Sequence, residues 1–304
     1  MRKSILFSLL ILLFTLFPAL AFADVSIVAT LPTLGSIASE IVGTHGSVKV
    51  MASPVEDPHF VDARPDYVLK LNQADVLLYN GMELEIGWLP TLQTSARNAK
   101  VAAGGNAAID CSQFIKPLEV PSQKVDRAAG DIHPQGNPHY FYSADNVALI
   151  TRGLSEKLAT LDEENAAYYK TNAENFIQKL NSFSKTQKNR FSALPNANRQ
   201  FISYHASMPY LAEWLGLTST GTIEPKPGIS PNPQHVAKTV ASMKASATHV
   251  IIQESYQPTS TSEKMASMTS SKIIRLNNGP DFNKGESYIQ YITAFCDALY
   301  DAMK

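Results

Sequence analysis

Between Leu161 and Leu194 the chain runs for more than thirty residues without a glycine or a proline. Ala166, Tyr169, Ala173, Phe176, Leu180 and Phe183 recur there at intervals of three and four, which places them on one face of a long α-helix. Asp162, Glu163 and Glu164 fall in its first turn, where negative charge complements the positive end of the helix dipole. On either side the texture is the same, with short β-branched runs alternating with helical segments, the pattern of a parallel sheet with helical crossovers. In the first half Val25 to Ala29, Val48 to Met51 and Val76 to Tyr79 read as strands, with a weaker one at Lys100 to Ala102. Leu34 to Ile41 and the segment opening at Pro65 read as helices. In the second half Gln200 to Ser203, Val250 to Gln253 and Ile273 to Leu276 are strands, separated by helices at Pro209 to Leu215 and Pro233 to Ala245. The expected fold is α/β, in two lobes. Each is a mostly parallel sheet flanked by helices, at 24–158 and 195–304, and one backbone helix at 159–194 joins them. A single helix makes a stiffer connector than paired extended strands, so little opening is expected.

The N-terminus sets the compartment. Arg2 and Lys3 precede an apolar run from Ile5 to Phe17, and the stretch ends at Ala21-Phe-Ala. That is the form of a secretory signal peptide over 1–23, cleaved after Ala23. The apolar run is short of the roughly 20 residues that a membrane span needs. No cysteine lies near the cut, so a soluble exported chain without a lipid anchor is expected. Twenty-six basic residues balance 27 acidic ones, and no basic stripe with interleaved aromatics marks a nucleic-acid surface. Cys111 and Cys296 are the only cysteines, and with no Cys-x-x-Cys pair they cannot build a cysteine zinc site. An oxidising compartment would allow them to pair, and their spacing leaves that open.

Three of the seven histidines share a context that the others lack. His59 lies in Asp57-Pro-His-Phe and His139 in Asn137-Pro-His-Tyr, so each imidazole follows a residue of fixed φ in a turn. His205 follows the strand Gln200 to Ser203, at the carboxyl end where open α/β sheets bind ligands. Neutral imidazole binds zinc and survives where thiolates would be lost to disulfides. Three of them with one further oxygen ligand suit tetrahedral Zn²⁺ better than the oxygen-rich shell expected of Mn²⁺. Each ligating ring needs an acceptor on its other nitrogen, and Asp57 or Asp62 could serve His59. His45, His235 and His249 read as ordinary turn, helix-start and strand-flanking residues. His133, in a loop just ahead of His139, could recruit metal weakly.

These residues resemble the zinc/manganese cluster of ABC-transporter solute-binding proteins across essentially the whole mature chain. The likeness rests on Ile27-Val-Ala-Thr-Leu-Pro-Thr-Leu, Asp57-Pro-His-Phe with Pro65-Asp-Tyr, and Ala74-Asp-Val-Leu-Leu-Tyr-Asn-Gly-Met-Glu-Leu-Glu with Trp88-Leu. It continues through Asn137-Pro-His-Tyr-Phe, Tyr204-His-Ala-Ser-Met-Pro-Tyr-Leu, Ile252-Gln-Glu-Ser and Gly285-Glu-Ser-Tyr-Ile. The resemblance implies a periplasmic, non-enzymatic, monomeric protein that holds a divalent metal ion in the interlobe cleft and delivers it to a membrane permease. It places the ligands at His59, His139 and His205, and histidine rather than glutamate at the third favours zinc. The family's fourth ligand, an aspartate after the last strand, is replaced by Asn277 or Asn278. The fourth place then falls to water or to Asp281, with water favoured because Pro280 should hold Gly279 extended and carry Asp281 away from the strand end. Glu254 is expected in the cleft but not as a ligand. A secreted zinc enzyme is the main rival, and it lacks a His-Glu-x-x-His motif or a general base at a telling spacing. A surface adhesin with an incidental metal is the other.

Overall fold

The structure, a computed structural model, describes residues 24–123 and 130–304. The signal peptide expected over 1–23 lies outside the described residues. Among the described residues eight strands form two separate four-stranded sheets, and every pairing of neighbouring strands is parallel. The first holds β1 (Val25–Ala29), β2 (Gly46–Val50), β3 (Val76–Tyr79) and β4 (Ala108–Asp110) in the order β2-β1-β3-β4. The second repeats that order as β6-β5-β7-β8, with β5 (Gln200–Ser203), β6 (Thr218–Thr222), β7 (Val250–Glu254) and β8 (Lys272–Leu276). Central strands β1 and β7 are buried almost throughout, as their largely apolar runs Val25-Ser-Ile-Val-Ala and Val250-Ile-Ile suit strands covered on both faces. The strand order reverses beside β1 in one lobe and beside β5 in the other. Those two switch points are where open α/β sheets place ligands.

Nine α-helices lie among the described residues: α1 (Pro32–Val42), α2 (Pro65–Asn72), α3 (Leu89–Ala96), α4 (Ala144–Leu161), α5 (Ala166–Ser192), α6 (Pro209–Leu215), α7 (Pro233–Ser246), α8 (Thr259–Thr269) and α9 (Tyr288–Met303). Five of them, α1, α2, α3, α6 and α7, open with proline in the first turn, where the missing N–H costs nothing. None is long and apolar enough to cross a membrane.

Three local expectations change. The strand expected at Lys100 to Ala102 is a turn, closed by Ala107 N–H donating to the Lys100 carbonyl, and the pairing strand is β4, where Ala108 sits opposite Leu77. Strand β6, Thr-Ser-Thr-Gly-Thr, has no apolar run to signal it and is an edge strand with exposed side chains. The long helix begins at Ala166, because residues up to Leu161 close the preceding helix α4, which Ser143 caps by accepting from Asn146 N–H. Asp162 therefore sits before α5 and ties the corner by accepting from the Tyr169 hydroxyl at 2.6 Å and the Asn165 amide at 2.9 Å.

One continuous apolar core runs from Val25 to Met303 through both lobes, and α5 contributes Tyr169, Phe176, Leu180 and Phe191 to it. A smaller cluster of Ile202, Tyr204, Ile223, Val240, Met243, Ile251 and Met265 lies within the second lobe. Helix α9 braces the lobes a second time. Its Ser287–Gln290 capping box fixes the start, where Tyr288 N–H donates to Ser36 Oγ at 2.9 Å and the Tyr288 hydroxyl to the Phe141 carbonyl at 3.0 Å. Cys111 and Cys296 are both buried and unpaired.

Candidate metal centre

Both Pro-His turns of the first lobe are held by one structure, the turn that follows β3. Trp88 Nε1 donates to the Pro58 carbonyl at 2.9 Å, and Asn80 Nδ2 donates to the Pro138 carbonyl at 3.0 Å. The carbonyls next to His59 and His139 are thereby fixed to a common frame. Gly81 allows the turn, since its φ is +82° and a Cβ there would overlap the Asp110 carboxylate. Buried Glu85 closes it, accepting from Thr30 Oγ at 2.7 Å, Asn80 N–H at 2.6 Å and Gly81 N–H at 3.1 Å. Burial pushes the Glu85 carboxyl up to about 7, against the pull of these three donors. Replacing it with glutamine turns an NH₂ toward backbone N–H donors. We expect Glu85→Gln to cost about 1–3 kcal/mol, read from urea unfolding, and an unchanged midpoint would show that the turn does not depend on the carboxylate.

The second lobe brings its histidine across. Asn137 donates to the Ala206 carbonyl at 2.6 Å, and the Tyr210 hydroxyl donates back to the Asn137 carbonyl at 2.9 Å, which ties the His139 loop to the segment carrying His205. His205 lies two residues beyond β5, beside the switch point, and Glu254 ends the neighbouring β7.

His59, His139 and His205 converge, each buried, with one ring nitrogen apiece all within 4.8 Å of one another. Their ring centroids are 5.3 Å (59–139), 5.4 Å (59–205) and 5.2 Å (139–205) apart. A zinc–nitrogen bond of about 2.0–2.1 Å puts a centroid about 3.2 Å from the ion, so tetrahedral directions would separate centroids by about 5.2 Å. The three rings already stand at that separation. His59 Nδ1 is 2.7 Å from Asp57 Oδ1 and His205 Nδ1 is 2.8 Å from Glu224 Oε2. An ionised carboxylate only accepts, so both rings carry hydrogen on Nδ1 and keep Nε2 for an ion, as metal-binding imidazoles do. His59 Nε2 and both nitrogens of His139 are buried with no hydrogen-bond partner among the described residues.

The electrostatics hold His139 neutral and favour a proton on His205 until an ion displaces it. Burial, with the neighbouring imidazoles, holds His139 well below its ordinary value. Burial also lowers His205, but the hydrogen bond and charge of Glu224, with Glu254 and Asp57, outweigh it and leave that ring raised. Burial raises Asp57, yet its bond and charge pairing to His59 hold it below the usual carboxylate range. Glu254 is buried and raised by desolvation, its Oε1 accepting from the Ser207 and Tyr142 hydroxyls. It ends strand β7 and is not in the converged group among the described residues.

Among the described histidine, cysteine and carboxylate side chains only those three converge, so Asp281 does not join them. Asp281 turns to Lys284, 2.7 Å away, and Asn277 Oδ1 accepts from Ser255 Oγ at 2.8 Å. Buried Asn278 donates its N–H to the Pro54 carbonyl at 2.7 Å. Gly279 is not in the extended geometry expected before proline. Its φ is +129°, which a residue without a Cβ reaches freely. His45, His235 and His249 are not in the converged group, with His45 bonded to Asn165 and His235 to the Thr222 carbonyl. Glu224 escaped sequence reasoning because it follows β6, the strand that no apolar pattern announced. His133 is closer than expected, with its ring 5.3 Å from that of His59.

Known proteins share this arrangement of elements. The family model described as zinc-uptake complex component A, periplasmic (ZnuA), matches residues 27–302. The high-affinity zinc uptake system protein ZnuA of Bacillus subtilis is 24% identical over 289 residues, 91% of this chain and 87% of that protein. The manganese ABC transporter substrate-binding lipoprotein PsaA of Streptococcus mitis is 23% identical over 194 residues, 64% of this chain and 60% of that protein. A crystal structure of ZnuA superposes with a TM-score of 0.78 at 23% identity, covering 93% of this chain and 100% of that one.

Proposed function

The chain belongs to the ZnuA family of periplasmic metal-binding components of ABC uptake systems, and on that premise we propose that it captures zinc in preference to manganese and delivers it to a membrane permease. The ligands in this reading are His59 and His205 through Nε2, and His139 through whichever buried nitrogen faces the ion. The observation that carries it is the convergence of three buried imidazoles at tetrahedral spacing, two of them oriented by carboxylates. Among the described residues no carboxylate oxygen joins that group, and an oxygen-poor shell favours zinc over manganese. Asp57 and Glu224 supply negative charge one bond further out, which offsets the ion's charge without contributing to its coordination. The chain acts as an exported monomer in this proposal, with the signal removed after Ala23 and the lobes divided at 158 and 194. Its role is transport, with no catalytic step.

Competition calorimetry tests the metal. Zinc is expected to bind one ion per chain more tightly than manganese, and the reverse order would overturn the reading. The same titrations carry a pH signature. His205 is raised, so the metal-free protein holds a proton there above the ordinary histidine range, and zinc must displace it. Affinity should therefore fall as pH drops through that range, approaching about tenfold per unit below it. Buffers of different ionisation enthalpy would report the released proton.

A further inference from the structure

We propose that His133 supplies the fourth donor to the captured ion, so that the loaded centre consists of four histidines and no carboxylate enters it. The inference rests on the three-histidine reading above and names the residue that completes it.

His133 Nδ1 lies 2.7 Å from the Met82 carbonyl, which can only accept. The ring therefore carries hydrogen on Nδ1 and a lone pair on Nε2. Among the described residues that Nε2 is buried and has no hydrogen-bond partner. This is the arrangement of His59 and His205, with one nitrogen anchored by an acceptor and the other left for an ion. A histidine serving only to cap a loop would have no reason to bury its second nitrogen unpaired, since that costs about 1–3 kcal/mol.

Its position agrees. The His133 ring stands 5.3 Å from His59, the centroid separation found among the converged three. His133 lines one cavity with His139 and His205 and an adjoining one with His59. The anchor is also shared, because Met82 belongs to the turn after β3 whose Asn80 and Trp88 hold both Pro-His carbonyls. His133 Nε2 is not yet within the 4.8 Å group, so capture must draw the loop inward on its Met82 tether. That loop is held by backbone bonds at Asp131 to Pro227 and at Asn137 to Leu118, and Ile132 and Pro134 between them are exposed.

The rivals for the fourth place are less well set. Asp281 is engaged with Lys284. Glu254 has an unpartnered Oε2, but it lines none of the cavities that the histidines share. A fourth neutral imidazole also has a functional consequence, since it removes the oxygen donor that manganese would need. His133 is then a selectivity residue as well as a ligand.

Cobalt(II) serves as the spectroscopic probe on the mature full-length chain, with zinc affinity measured against a competing chelator. In the wild type, X-ray absorption of the zinc-loaded protein should count four imidazoles. His133→Ala should shift the cobalt visible bands, lower the count to three and weaken zinc about tenfold or more, while Asp281→Ala changes none of these. Wild-type bands and affinity in His133→Ala, with His139→Ala still losing the metal, would overturn the inference and leave the proposed function standing. A wild-type protein that binds neither cobalt nor zinc would overturn both.

Discussion

Replacing His59, His139 or His205 singly with alanine is expected to weaken zinc binding by about 100- to 1000-fold. Zinc held by four ligands releases about 10–16 kcal/mol, so each ligand accounts for about 2.5–4 kcal/mol, which is that factor in the dissociation constant. The loss should be greatest where the remaining shell cannot adapt. His139 is the most deeply buried of the three, and Asn80 and Asn137 fix its loop from two sides, so neighbouring groups have little freedom to move in. His45→Ala and His249→Ala should bind as wild type, because His45 pairs with Asn165 on the far face and His249 flanks β7 at its amino end, opposite the centre. Chelator competition monitors all five variants. A His45 or His249 variant that lost the metal, or a His139 variant that kept it, would mean the converged nitrogens are not the ligands.

Zinc should raise stability steeply while leaving the molecule's dimensions nearly unchanged. At a thousandfold excess over the dissociation constant, an ion that binds only the folded chain adds about 4 kcal/mol, visible as a higher unfolding midpoint, and His139→Ala should cut this to about 1 kcal/mol or less. The absence of contraction follows from the packing. The apolar core passes without interruption from the first lobe through α5 into the second, and α9 ties Ser36 and Phe141 of the first lobe to the second by hydrogen bonds of Tyr288. Rotating one lobe on the other would break that core, and close-packed interiors do not deform gradually. The local inward movement of the His133 loop is too small to alter a scattering profile. A radius of gyration that fell markedly on adding zinc would show that the lobes hinge after all.

The features legible in the sequence were those with a local physical signature. Short runs dominated by apolar residues announced the buried strands β1, β3, β5 and β7, because strands covered on both faces are largely apolar. The helical spacing of Tyr169, Ala173, Phe176 and Leu180 announced α5 and its buried face. Repeated Pro-His turns and a histidine just past a strand end marked three residues that the structure then brings together. The tertiary structure decided whatever depends on partners distant in the chain. Edge strand β6 left no apolar trace, so Glu224 could not be assigned to His205, 19 positions away. Gly279 follows a course that its missing Cβ permits and that Pro280 did not foretell, leaving Asp281 with Lys284. The place of His133 was settled by the Met82 carbonyl, 51 residues earlier, since a ring's free nitrogen is chosen by whatever holds the other one. Spacing along a chain can show that an imidazole is available. Which way it faces is set by contacts that form only when the lobes have packed.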